Sequence, residues 1–234
     1  MVARFPCFLL AAFILTVLPT RSKAGDLFTG FQIDNKGQYF SYLGVRTPIL
    51  EISERTHLII QTSIAGIGYS FKSAGQILDG NTQFIVPSLG ISHSLGGWQF
   101  SVLGGPQLRR IEEEQLNASS SLAHKIGPYG QFEAMYQQKK GSIHALGTYA
   151  NIDNFFWGRL RGKVLVHEAT EGCCSAYVGW DLTGMGNADF RAVQTGPLVQ
   201  FPLGQVFLLV RGGYQNSNSF HSGVYGGVEL YFGF

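Results

Sequence analysis

His221-Ser222-Gly223-Val224-Tyr225-Gly226-Gly227-Val228-Glu229-Leu230-Tyr231-Phe232-Gly233-Phe234 is the stretch on which the fold turns. Read as a strand, it places Val224, Gly226, Val228, Leu230, Phe232 and Phe234 on one face. Gly223, Tyr225, Gly227, Glu229, Tyr231 and Gly233 fall on the other. One face is apolar, and the other is aromatic, small or charged. At the edge of a soluble sheet such a strand invites aggregation. As the closing strand of a membrane barrel it turns its apolar face to lipid and has both edges paired. Leu230, Phe232 and Phe234 then form the terminal signal that barrel-insertion machinery reads. The competing reading is the last strand of a soluble two-sheet sandwich.

The start of the chain points the same way. Arg4 precedes an apolar run from Phe8 to Leu18, interrupted only by Thr16 and too short to span a bilayer. Ser22-Lys23-Ala24 places small residues before a cut at Gly25. Residues 1–24 therefore read as a secretory signal peptide, and 25–234 as one outer-membrane barrel domain. The whole chain carries 17 Lys and Arg against 15 Asp and Glu. Without Arg4, Arg21 and Lys23 the balance is 14 against 15. A near-neutral chain excludes a nucleic-acid binder, which needs a basic surface. Charged residues make up 14%, aromatics 13%, and Gly 31 of 234 positions. Few charges with many aromatics and glycines suit a membrane barrel better than a soluble enzyme.

From Asp26 onward the periodicity is two, broken by turn residues. The expected fold is all-β: a transmembrane antiparallel up-and-down barrel of about twelve strands, with ten to fourteen as the range. The strands are expected near 26–33, 38–50, 57–71, 81–94, 98–110, 125–138, 142–150, 155–167, 173–182, 188–201, 205–214 and at the end of the chain. Residues 111–124, which include Glu112-Glu113-Glu114, read as the longest polar loop, and Pro87 as a bulge or kink. An even strand number returns both termini to the periplasmic side.

Strand 155–167 is the most informative internal element. Arg159, Arg161 and Lys163 alternate with Leu160 and Gly162 and share one face. Facing lipid, each would cost roughly 2–4 kcal/mol near the midplane. They are therefore expected in the lumen, with Glu133, Asp181, Glu229 or Asp189 as counter-charges. Two readings remain open: charges that plug a narrow barrel, and a polar track for an anionic or hydroxyl-rich ligand. Tyr42, Tyr225 and Tyr231, on the same inner face, can stack on sugar rings or simply fill space.

Enzyme patterns are poor. Ser219 and His221 lie two apart, as a hydrolase nucleophile and base on one strand face would, and His93 and Ser101 approach if their strands pair. His167-Glu168 lacks the second His of a zinc-protease motif. Cys173 and Cys174 are adjacent, with neither a disulfide framework nor a zinc spacing around them. No enzymatic activity, cofactor or metal is expected.

Asn154-Phe155-Phe156-Trp157-Gly158-Arg159-Leu160-Arg161-Gly162 resembles a strand of the cellulose biosynthesis protein BcsS family. Val178-Gly179-Trp180-Asp181-Leu182-Thr183-Gly184-Met185-Gly186-Asn187-Ala188-Asp189-Phe190-Arg191 is similar to a second stretch of that family, with Trp180-Asp181 where the family carries Pro-Glu. Phe201-Pro202-Leu203-Gly204, Gly213-Tyr214 and the terminal strand follow in the family's order. Leu27-Phe28-Thr29-Gly30 and Tyr39-Phe40-Ser41-Tyr42-Leu43-Gly44 look like its opening hairpin. The resemblance implies an outer-membrane barrel accessory to cellulose or exopolysaccharide biosynthesis or secretion. Its implied partners are outer-membrane lipid, barrel-insertion machinery, and cellulose synthase or secretion components or a glucan chain. It brings no catalytic residues. The alternatives are a general small-solute porin or structural barrel, and an outer-membrane lipid hydrolase.

Overall fold

The computed structural model describes residues 25–73, 76–114, 120–168, 175–218 and 222–234. They form twelve antiparallel strands: β1 (Asp26–Asp34), β2 (Tyr39–Ser53), β3 (Thr56–Ser73), β4 (Gln76–Leu95), β5 (Trp98–Glu114), β6 (Ser120–Gln138), β7 (Gly141–Ala150), β8 (Phe155–His167), β9 (Ala176–Gly186), β10 (Arg191–Leu203), β11 (Val206–Ser217) and β12 (Gly223–Gly233). Each strand pairs with its sequence neighbours, and β1 pairs with β12 to close the barrel. Closure runs to the last residue. Gly25 N–H donates to the Phe234 carbonyl at 2.6 Å, and Phe234 N–H to the Gly25 carbonyl at 2.9 Å. Among the described residues no sheet edge is left open.

The alternation of β12 is realised as expected. Val224, Val228 and Leu230 are exposed on the outer face, while Tyr225 and Glu229 are buried inside. The same outward exposure recurs around the wall in Phe31, Ile60, Leu89, Val102, Phe132, Leu160, Leu182, Val193 and Val210. Buried polar residues such as Gln61, Gln131, Gln194 and Gln215 point inward. An apolar exterior around a polar interior inverts the pattern of a soluble barrel and matches one immersed in lipid.

Glycine opposite an aromatic residue is a repeated device of this wall. Tyr42 pairs with Gly30, Phe28 with Gly44, Tyr39 with Gly68 and Tyr69 with Gly80. In each pair the ring lies where a glycine Cβ would stand. The aromatic thus covers the backbone that glycine exposes and fixes the cross-strand register.

Three expectations are corrected. Residues 111–124 are not a long loop: β5 continues to Glu114 and β6 starts at Ser120. Tyr69 O–H donates to the Glu113 carboxylate at 2.7 Å, and Arg110 reaches Glu112 at 3.5 Å, so polar pairs carry these strand ends where apolar alternation stops. Pro87 is neither bulge nor register shift. Its pairing with Thr62 lies in unbroken β3–β4 register, and the β4–β5 register is the same on both sides of it, with only ladder pairs missing beside it. Pro106 faces Pro128 in the next ladder. The bulges fall in β2, after Pro48 and after Glu51, and in β8 after Leu165. Finally, β9 and β10 begin three residues later than expected, at Ala176 and Arg191. The Asn187 side-chain oxygen accepts from the N–H groups of Asp189 and Phe190 at 3.0 and 2.8 Å, which holds 187–190 as a turn. Cys173 and Cys174, and the segment 1–24, lie outside the described residues.

Candidate lumen charge network

Register decides which strand-8 residues meet which partners. Arg159 pairs with Thr183, Arg161 with Asp181 and Lys163 with Gly179, all on the inner face. On the far side of β10, Leu209 pairs with Glu229 and Arg211 with Gly227. Arg161 is the hub. Its Nε and Nη2 donate to Asp181 Oδ2 at 2.9 and 2.6 Å. Its Nη1 and Nη2 also donate to the two Glu229 oxygens at 2.9 and 3.0 Å. Arg159 Nη1 donates to Glu229 Oε1 at 3.2 Å. Arg211 reaches Asp181 at 3.4 Å and Glu229 at 3.3 Å, and its Nη2 donates to Gln32 at 2.7 Å. Thr183 and Tyr231 hydroxyls complete the shell, donating to Asp181 at 3.1 Å and to Glu229 at 2.7 Å.

These contacts cross the interior. β8 and β12 are four strand spacings apart, roughly 19 Å along the wall at ~4.8 Å per spacing. Arg161 and Glu229 meet only because both extend inward. Asp181 is 0% and Glu229 1% exposed, and the three arginines are 7% or less. Five charges shut away from water, three positive and two negative, are tolerable because each is ion-paired, although Nε of Arg159 and of Arg211 makes no hydrogen bond among the described residues.

A second group lies beside the first. Glu133 on β6 is held by Arg46 from β2, again four spacings away, and by His144 from β7, whose Nε2 is 2.7 Å from Oε1. Arg46 Nε donates to Gln61 at 2.9 Å, and Gln61 Nε2 to Gln131 at 3.2 Å. A third group sits at the end of the barrel that carries the β7–β8 turn. Asp153, in a left-handed conformation (φ 60°), takes Arg109 at 3.0 Å and Lys125 at 2.7 Å. The buried Ile152 beside it packs where a Gly127 Cβ would be.

Of the residues singled out in the sequence, Arg159, Arg161 and Glu229 come together, with Asp181 as the second counter-charge. Glu133 belongs to the separate Arg46–His144 group. Lys163 forms no ion pair among the described residues; its Nζ donates to Gln200 at 2.6 Å and lies 5.5 Å from the Tyr177 ring. Asp189 is in the 187–190 turn and is not part of the cluster. Tyr225 is buried, with the Arg211 guanidinium 5.8 Å from its ring centre; Tyr42 covers Gly30, and Tyr231 serves Glu229. Arg211 escaped the sequence reading. It stands alone after Phe207-Leu208-Leu209-Val210, and only strict alternation with Leu209 marks it as inward. His93 and Ser101 do not form a pair. Ser101 faces Ser92 inside, while His93 faces Phe100 outside and contacts Thr56. Ser219 and His221 lie outside the described residues.

No family model and no curated protein matches the chain. Solved structures do. An outer membrane channel from Pseudomonas putida F1 is 12% identical, with a TM-score of 0.52 over 93% of this chain and 97% of that one. The beta domain of the Bordetella autotransporter BrkA is 9% identical, with a TM-score of 0.50 over 90% and 98%. The fold is that of outer-membrane β-barrels. One expectation is overturned here. LpxR from Salmonella typhimurium, a lipid deacylase, is also similar at 9% identity and a TM-score of 0.48, covering 88% of this chain and 99% of that one. A fold does not fix a function, and the exclusion of enzymatic activity made from sequence is withdrawn.

Proposed function

We propose that the chain resides in the outer membrane as a barrel whose lumen is closed by its own charge network, and that it serves cellulose or exopolysaccharide biosynthesis or secretion as an accessory. The observation that carries the closed lumen is the set of ion pairs crossing from β8 to β12 and from β2 to β6. Membrane residence is supported by the apolar outer face and the closed wall. The link to exopolysaccharide rests on the resemblance of residues 154–162 and 178–191 to the BcsS family. With the interior occupied, the barrel acts by anchoring or organising at the membrane, and a glucan chain or secretion components meet it at its ends. Insertion depends on Leu230, Phe232 and Phe234.

The test is deletion of the gene in its host, with secreted cellulose weighed. A fall in cellulose that the intact gene restores is expected. Unchanged cellulose overturns the exopolysaccharide reading and leaves a structural barrel or porin.

A further inference from the structure

On the outer face of β4, β5 and β6 an apolar row adjoins a polar one, with exposed Leu122 beyond it. Ile85, Leu108 and Ile126 are cross-strand neighbours. Two residues further toward the β5–β6 connection, on the same face, Gln83, Arg110 and His124 are neighbours in the same way. The rows are about 7 Å apart at ~3.4 Å per residue. Both line one open cleft of about 420 Å³. Apolar floor and polar shelf thus adjoin across three strands.

A guanidinium on a face that otherwise meets hydrocarbon is tolerated only at headgroup depth, where an anion or water receives it. Arg110 is half exposed, and its contact with the equally exposed Glu112 is long at 3.5 Å. A guanidinium carries five N–H donors, so this contact leaves most of the fork unused. Planar forks of this kind match phosphate oxygens. The shelf is also wide. Three polar side chains on adjacent strands span about 10 Å, more than one small phosphodiester covers. The end of the barrel matters as well. Both termini and the two-residue turns at Glu54-Arg55, Gly96-Gly97 and Lys139-Lys140 lie at the opposite end, as periplasmic turns do. The row therefore stands at the outer leaflet.

We propose that this cleft binds the phosphorylated sugar headgroup of an outer-leaflet glycolipid of the lipid A type. Arg110 and His124 donate to phosphate, Gln83 to the sugar, and the Ile85–Leu108–Ile126 row takes an acyl chain. The inference rests on the outer-membrane reading above. The experiment uses the full barrel in vesicles doped with diphosphoryl lipid A, with its dephosphorylated form, or with phosphatidylglycerol. Binding is read by native mass spectrometry of the extracted protein. The R110A/H124A variant is compared with the wild type, and heat-dependent gel mobility checks folding. Binding at least tenfold weaker in the variant, and similarly weakened by dephosphorylation, is expected. Equal binding by the folded variant, or phosphatidylglycerol binding as well as lipid A, overturns the proposal. A barrel that inserts into none of the vesicles overturns the outer-membrane reading, and this inference with it.

Discussion

Glu229 accepts hydrogen bonds from Arg159, Arg161 and Tyr231 and lies 3.3 Å from Arg211 Nε, at 1% exposure. Removing its charge leaves Arg159 with no carboxylate partner and Arg161 and Arg211 sharing Asp181 alone, all away from water. Breaking a buried pair of this kind costs about 3–5 kcal/mol. E229Q is therefore expected to lower unfolding stability by that amount, measured by urea titration in micelles. Lys163 offers the contrast. Its main bond is a single one to neutral Gln200, so Lys163→Met is expected to cost about 1–3 kcal/mol. If the two variants lose the same stability, the interior charges do not act as a linked unit. The inward placement of Arg159, Arg161 and Lys163 was legible from alternation alone. Their partners were not. Which carboxylate reaches Arg161 depends on the stagger of strands four positions apart, and a local pattern carries no such information. Glu133 was thus grouped with Arg159 when its partners are Arg46 and His144.

Strand elements were legible where an apolar face alternates with a polar one. β8 spans Phe155–His167 as expected. Legibility fails where strands run beyond the belt: Ile111–Glu114 and Ser120–His124 are mostly polar yet paired, because strand ends in water keep their ladder without a continuous apolar face. The glycine–aromatic pairs are a testable part of this wall. A Cβ at Gly44 would collide with the Phe28 ring. Gly44→Val is expected to destabilise the barrel by about 1–3 kcal/mol through this overpacking, while Gly130→Val, where a Cβ meets open space, is expected to change little. Thermal unfolding of the two variants checks the difference. The closing element has its own test. Deleting Phe232–Phe234 removes the Gly25–Phe234 bonds and the last aromatic residues of β12. The folded fraction in the outer membrane, read by heat-dependent gel mobility, is expected to fall by most of its value. An undiminished fraction removes the insertion role from these residues.

For the whole molecule, closure of the sheet is separate from the proposed closure of the lumen. The sheet closes through β1 and β12. The lumen is bridged by Arg161–Glu229 and by Arg46–Glu133, side chains from opposite parts of the wall. A barrel of this strand number encloses far less space than a 16-stranded porin, and the proposed closure rests on these two bridges. The most direct measurement is planar-bilayer conductance of the purified, refolded protein, with and without short cello-oligosaccharides. The wild-type barrel is expected to show no steady conductance in either condition, and the R161A/E229A variant, with the central bridge removed and the charges cut together, to show discrete openings. Steady conductance through the wild type, above all one that the sugars block, would contradict the closed lumen and make the barrel a glucan-interacting channel.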